Sequence, residues 1–144
     1  MSEPRKGAEV DLRAIVDQLV KGANGLAGSN LTNINIKDNT VNGNKKGINF
    51  WGTTSFIRIV NNQVSGNSAY GISIKGNDIT ITGNTVTGNG TVGVAGNGGI
   101  IISKDVLNTE RVTVRYNTIT GNANNGLEVT AAVVQSVAAE YNWW

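Results

Sequence analysis

The sequence predicts an all-β solenoid, a tube of stacked coils. Three observations predict it. First, one template recurs four times along the chain: apolar-x-apolar, two residues, Asn, one residue, Val or Ile, one residue, Gly-Asn, a spacer, then Gly-apolar-x-apolar. Repetition on this scale marks units that bury their apolar faces only against each other. Second, apolar and polar residues alternate within each copy, which is strand spacing rather than helix spacing. Third, the apolar runs are short, β-branched and bounded by Gly and Asn.

The elements follow in chain order. Residues 1–30 form an N-terminal segment and residues 31–144 the solenoid. Within the first, Leu12, Ile15, Val16, Leu19 and Val20 fall on one helical face, with Asp11, Arg13, Asp17, Gln18 and Lys21 opposite. Acidic Glu9 and Asp11 at the start and Lys21-Gly22 at the end suit helix polarity. The pattern predicts an amphipathic helix that caps the open end of the tube, with an intermolecular helix bundle as the alternative.

The four copies then run Ile34-Asn35-Ile36 to Phe50, Ile57-Arg58-Ile59 to Ile74, Ile79-Thr80-Ile81 to Ile102, and Val112-Thr113-Val114 to Val129. A fifth begins at Val137. The template asparagines Asn39, Asn62, Asn84, Asn117 and Asn142 are spaced by 23, 22, 33 and 25 residues. About five coils are expected, each with three short strands, paired in parallel at about 4.8 Å per coil.

Equal template positions then stack as columns. Three are interior: Val41, Val64, Val86 and Ile119; Ile36, Ile59, Ile81 and Val114; and Ile48, Ile72, Ile100 and Leu127. Each such burial contributes about 1.5–3 kcal/mol before chain entropy is subtracted. The asparagines form a column in which each amide bonds the coils above and below. Gly43, Gly66, Gly88 and Gly121 supply turn conformations closed to most residues. Trp144 falls in the column of Val41, and Trp143-Trp144 is a bulky pair able to cover the last coil, with sugar stacking as a second use.

The template resembles the right-handed parallel β-helix repeat of pectin-lyase-like proteins over Leu31–Trp144. The ending Tyr141-Asn142-Trp143-Trp144 is similar to the Asn-Trp-Trp-Gly motif of microbial surface β-helix domains, without the Gly. The resemblance implies a single-stranded right-handed parallel β-helix. It is shared by polysaccharide lyases, glycoside hydrolases, epimerases, phage tailspikes, adhesins and repeats without chemistry, so it does not choose a function. It implies an extracellular or cell-surface setting, yet Met1-Ser2-Glu3-Pro4-Arg5-Lys6 lacks the apolar stretch of a secretion signal. That combination points to a cut segment, a phage protein or an engineered scaffold.

Composition narrows the chemistry. The chain has 144 residues, formal net charge +2, no Cys and no His. Without His, the usual proton shuttle and His-dependent triads are gone. Asp38, Asp78, Asp105, Glu110 and Glu128 do not recur at one template position, so no calcium column is expected. No metal, cofactor or catalytic residue is assigned. Scattered charges of both signs give no nucleic-acid footprint, and no apolar run approaches membrane-span length. The Lys45-Lys46 pair reads as solvated turn residues. The expected state is a monomer, or weak self-association through the coil ends.

One feature stands out. The third copy carries two insertions, Gly90–Gly98 and Lys104–Glu110, flanking the strand Ile100–Ile102. In pectin-lyase-like proteins the substrate groove lies outside that strand's sheet. The outward columns there are Asn49, Ser73, Ile101, Glu128 and Trp51, Lys75, Ser103, Thr130. Candidate ligand-binding residues are therefore Asn49, Trp51, Ser73, Lys75, Lys104 and Glu128, with a polysaccharide as the partner. The leading reading is a non-catalytic β-helix module or scaffold. A carbohydrate-binding module comes next, and a polysaccharide lyase or epimerase-type enzyme third.

Overall fold

The computed structural model describes residues 10–13 (backbone only), 24–103, 109–130 and 137–144. Fourteen strands are present among them: β1 Val10–Arg13, β2 Asn24–Ser29, β3 Thr32–Lys37, β4 Thr40–Asn42, β5 Lys46–Trp51, β6 Ser55–Val60, β7 Gln63–Ser65, β8 Tyr70–Ile74, β9 Asn77–Thr82, β10 Thr85–Thr87, β11 Gly98–Ile102, β12 Val112–Arg115, β13 Thr118–Thr120 and β14 Asn125–Val129. They sort into three sheets, ordered β1-β3-β6-β9-β12, β4-β7-β10-β13 and β2-β5-β8-β11-β14. We call these the first, second and third sheets. Every pairing is parallel. Four coils carry all three strands: β3–β5, β6–β8, β9–β11 and β12–β14. Beyond them, bridges Thr113–Ala138 and Thr118–Trp143 start a further coil. Among the described residues the fold is thus a parallel β-solenoid with four complete coils.

The registers match the template residue for residue. Val41, Val64, Val86 and Ile119 pair in sequence along the second sheet and are at most 2 % exposed. Ile36, Ile59, Ile81 and Val114 are fully buried. Ile48, Ile72, Ile100 and Leu127 line up in the third sheet, with Leu127 only half-buried on the last coil. The core is one continuous cluster of aliphatic columns along the tube, with Phe50 as its one fully buried ring.

The helix expected from Leu12 to Val20 needs correction at its start. Val10–Arg13 is a strand that pairs in parallel with β3, Leu12 opposite Ile36. Residues 10–13 alternate apolar and polar, so they fit the next rung of a sheet as readily as a first helical turn, and the free edge of β3 decides. The remainder of the expected helix, residues 14–23, lies outside the described residues. Strand β2 pairs with β5, so sheet hydrogen bonding begins ahead of Leu31.

Two corners flank the short second-sheet strand, and each carries an asparagine column. At the first, each asparagine receives both the backbone and side-chain N–H of its predecessor: Asn62 from Asn39, Asn84 from Asn62, Asn117 from Asn84 and Asn142 from Asn117, at 2.8–3.1 Å. At the second, the Gly-Asn asparagines do the same: Asn67 from Asn44, Asn89 from Asn67 and Asn122 from Asn89, at 2.8–3.3 Å. This second ladder goes beyond the expected one. The residue before each ladder asparagine is left-handed: Gly43, Gly66, Gly88 and Gly121 at one corner, and Asp38, Asn61, Gly83, Tyr116 and Tyr141 at the other. That twist aims the following amide inward along the stack.

Candidate functional site

Alternation along the third sheet sends Ile48, Ile72 and Ile100 inward and turns Asn49, Ser73 and Ile101 outward. Those three pair side by side, with Glu128 next in the row. The second outward column follows, because Lys75 N–H donates to Phe50 O, Ser103 N–H to Ile74 O and Thr130 N–H to Ile102 O, at 2.9–3.0 Å. Part of these two columns lies in a groove of about 530 Å³ lined by Asn24, Lys46, Asn49, Trp51, Tyr70, Ser73, Lys75, Ile101 and Ser103.

Four of the six candidate residues meet in this groove: Asn49, Trp51, Ser73 and Lys75. Glu128 lies in the same column one coil beyond Ile101, away from the groove lining, where it accepts from the Asn125 amide at 2.9 Å. Lys104 lies outside the described residues. Asn49 and Ser73 form the buried floor, while Trp51 is 37 % exposed at the rim.

Three groove residues escaped the sequence reading: Asn24, Lys46 and Tyr70. Lys46 opens strand β5 instead of sitting in a turn, and its Nζ lies 5.7 Å from the centre of the Tyr70 ring. Lys46 and Tyr70 occupy one template position, the residue before Gly-apolar-x-apolar, and pair across the sheet. That shared position was the available signal.

The insertion Gly90–Gly98 leads into strand β11. It is held from the next coil by Asn124, whose amide N–H groups donate to the carbonyls of Thr91, Val94 and Asn97 at 2.9–3.2 Å. Asn124 Oδ1 accepts from Gly93 N–H. A side chain at Gly96 would come 3.7 Å from the Tyr70 hydroxyl, so the loop lies close to the groove's aromatic end.

A second groove, about 370 Å³, crosses the outer face of the first sheet and is lined by residues including Phe56, Arg58, Asp78 and Arg111. Its charges are largely committed. Arg111 grips Asp78 with Nε and Nη2, at 2.6 and 2.9 Å, and reaches Glu110 with Nη1 at 2.9 Å. The hydrogen bonds from Arg111 hold the Asp78 carboxyl below its ordinary range, and Asp78 in turn raises Arg111.

A sequence model for a family described as periplasmic copper-binding protein (NosD) matches residues 7–142. The chain belongs to the NosD family. Neither a curated protein nor a solved structure matches it. The family description raises copper, and the donors of this NosD-family chain can be tested against it. Copper takes thiolate, thioether or imidazole ligands. This chain has no Cys, no His and one Met, Met1. Among the described residues no three carboxylates gather where a metal would sit. The residues do not fit copper, and no chemistry here is routed through it.

Proposed function

We propose that this NosD-family chain is a non-catalytic β-helix module. The observation that carries the reading is how its polar groups are used. The recurring asparagines are consumed inside the stack, bonded from coil to coil. Among the described side chains the carboxylates are also held: Asp38 by Lys37, Asp78 and Glu110 by Arg111, Glu140 by Arg115, and Glu128 by Asn125. The described lining of the third-sheet groove contains no carboxylate to serve as general acid or base. Incubation with acidic polysaccharides checks this. No unsaturated or shortened product is expected, and product formation that tracks Lys46 or Lys75 would overturn the reading.

The groove favours polysaccharide as the ligand of this module. Trp51 and Tyr70 offer ring faces, Ser73, Ser103, Asn24 and Asn49 offer hydroxyl and amide partners, and Lys46 with Lys75 makes the lining cationic. A saccharide ring presents C–H groups to an aromatic face and hydroxyls to the polar floor, and carboxylated sugars gain from the two lysines. Trp51→Ala is expected to weaken binding to immobilised acidic polysaccharide by about tenfold or more, as loss of an anchoring aromatic does. The far-ultraviolet dichroism should stay unchanged. Retained affinity would move the ligand away from this groove.

A further inference from the structure

The second sheet has an outer face unlike the other two. Its outward positions are Thr40 and Asn42 on β4, Gln63 and Ser65 on β7, Thr85 and Thr87 on β10, and Thr118 and Thr120 on β13. All eight are uncharged and polar. Their neighbours align in strict register from coil to coil, which makes a two-column grid. The grid repeats about every 4.8 Å across the strands and about 6.6 Å along them. The hydroxyls of Thr85, Thr87, Thr118 and Thr120 make no hydrogen bond to other described residues.

The grid is also unusually well held. Sheets normally twist, and stacked side-chain ladders are one device that flattens them. Here an asparagine ladder runs along each margin of the sheet, through Asn39, Asn62, Asn84 and Asn117 on one side and Asn44, Asn67, Asn89 and Asn122 on the other. Behind it, Val41, Val64, Val86 and Ile119 are packed solid. Each β-branched threonine has a restricted χ1, so methyl and hydroxyl groups project at regular intervals.

We propose that this face binds ice. A surface that orders water into a crystal lattice needs four properties: a regular two-dimensional repeat, hydroxyl groups without internal partners, methyl groups between them, and rigidity. It must also lack charges, whose tightly held hydration shells break the lattice. The threonines of β10 and β13, Thr85, Thr87, Thr118 and Thr120, meet these conditions, Thr40, Asn42, Gln63 and Ser65 continue the face as uncharged polar neighbours, and the coil repeat lies near a lattice translation of hexagonal ice. The proposal is independent of the third-sheet groove, which faces another side of the tube.

The test uses the full chain. In a nanolitre osmometer it should open a gap between the melting and freezing temperatures of a single ice crystal and shape its facets. In slow freezing, fluorescently labelled chain should be taken up into the ice. The double variant Thr85→Lys, Thr118→Lys should lose both effects while keeping its unfolding midpoint close to that of the parent. Thr113→Lys, on the first sheet, should retain both. Rounded crystals with no temperature gap for the parent chain would overturn the proposal. So would equal activity in the folded double variant, or loss of activity in folded Thr113→Lys.

Discussion

Asn84 is 1 % exposed, and its side chain ties three coils together. Its amide donates to Ile59 O in the coil before and to Asn117 Oδ1 in the coil after, while its Oδ1 accepts from Asn62. Truncation leaves buried partners in two other coils unsatisfied, which costs more than one average hydrogen bond contributes. Asn84→Ala should destabilise by about 1–3 kcal/mol in denaturant titration, and an unchanged midpoint would contradict the ladder. Asn42→Ala, on the exposed face, should stay within about 0.5 kcal/mol. The Asp78–Arg111 pair acts at the same scale, with a pH signature. The Asp78 carboxyl is lowered in the fold from its ordinary 3.8 by the Arg111 hydrogen bonds. Its contribution is therefore present above the unfolded value and is lost as pH falls through the folded one. Arg111→Gln should lower the denaturation midpoint slightly at neutral pH, since the guanidinium is largely solvated. The difference from the parent should close in acid; a difference that persisted there would rule out the charge pair as its source.

At the scale of the element, glycine has two separate jobs within one coil. Gly66 lies in the left-handed corner with φ +61°, and nothing stands within 4 Å of an added Cβ. Gly66→Ala therefore meets only the torsional penalty, about 1–2 kcal/mol. Gly47 opens the apolar stretch of β5 with ordinary torsions, but a Cβ there would come within 2.4 Å of the Gly71 carbonyl and 2.9 Å of Val64. Backbone of the next coil cannot yield without parting the sheets, so overpacking costs of about 1–3 kcal/mol or more apply. Gly47→Ala should be the more damaging change in denaturant titration. The reverse order would mean that the coils slide apart more easily than their registers imply. The stacked rings of Tyr116 and Tyr141, 5.3 Å apart and 7° from parallel, show the other side of corner geometry. Both occupy the left-handed corner that Asp38, Asn61 and Gly83 occupy on earlier coils, and ring stacking offsets part of the strain.

For the whole molecule, the ends of the tube matter most. Strand β1 covers β3, and β2 covers β5. Removing residues 1–28 takes away β1 and all but one residue of β2, which frees two long parallel edges. Free edges recruit other chains. The truncated chain should form concentration-dependent oligomers in sedimentation, whereas a monodisperse, folded truncation would show that these strands are not needed as covers. At the other end, the Thr118–Trp143 bridge puts Trp144 in line with Ile119, where its indole lies over Gly126. The expected continuation of the Val41 column into Trp144 is therefore realised.

Much of this was legible in the residues. Alternation within the template assigned three core columns, and the buried rows of Ile34, Ile57, Ile79 and Val112 and of Phe50, Ile74 and Ile102 obey the same rule, because a period of two leaves each strand residue only one choice of face. Recurring Asn39, Asn62 and Asn84 announced a ladder, since an amide repeated at one coil position has its own kind as neighbour. The same logic applied to Asn44, Asn67 and Asn89, whose Gly-Asn context read first as turn chemistry. Composition by itself also removed the thiolate and imidazole donors that copper favours, because the chain has no Cys and no His. Only tertiary structure decided three things. It brought Asn124 under the Gly90–Gly98 loop, a contact between coils that no local pattern encodes, and it set the Lys46 ammonium over the Tyr70 ring. It separated Glu128 from the groove by one coil. And it turned Val10–Arg13 into a strand, because an amphipathic segment takes the conformation of whatever apolar surface and unpaired edge it meets.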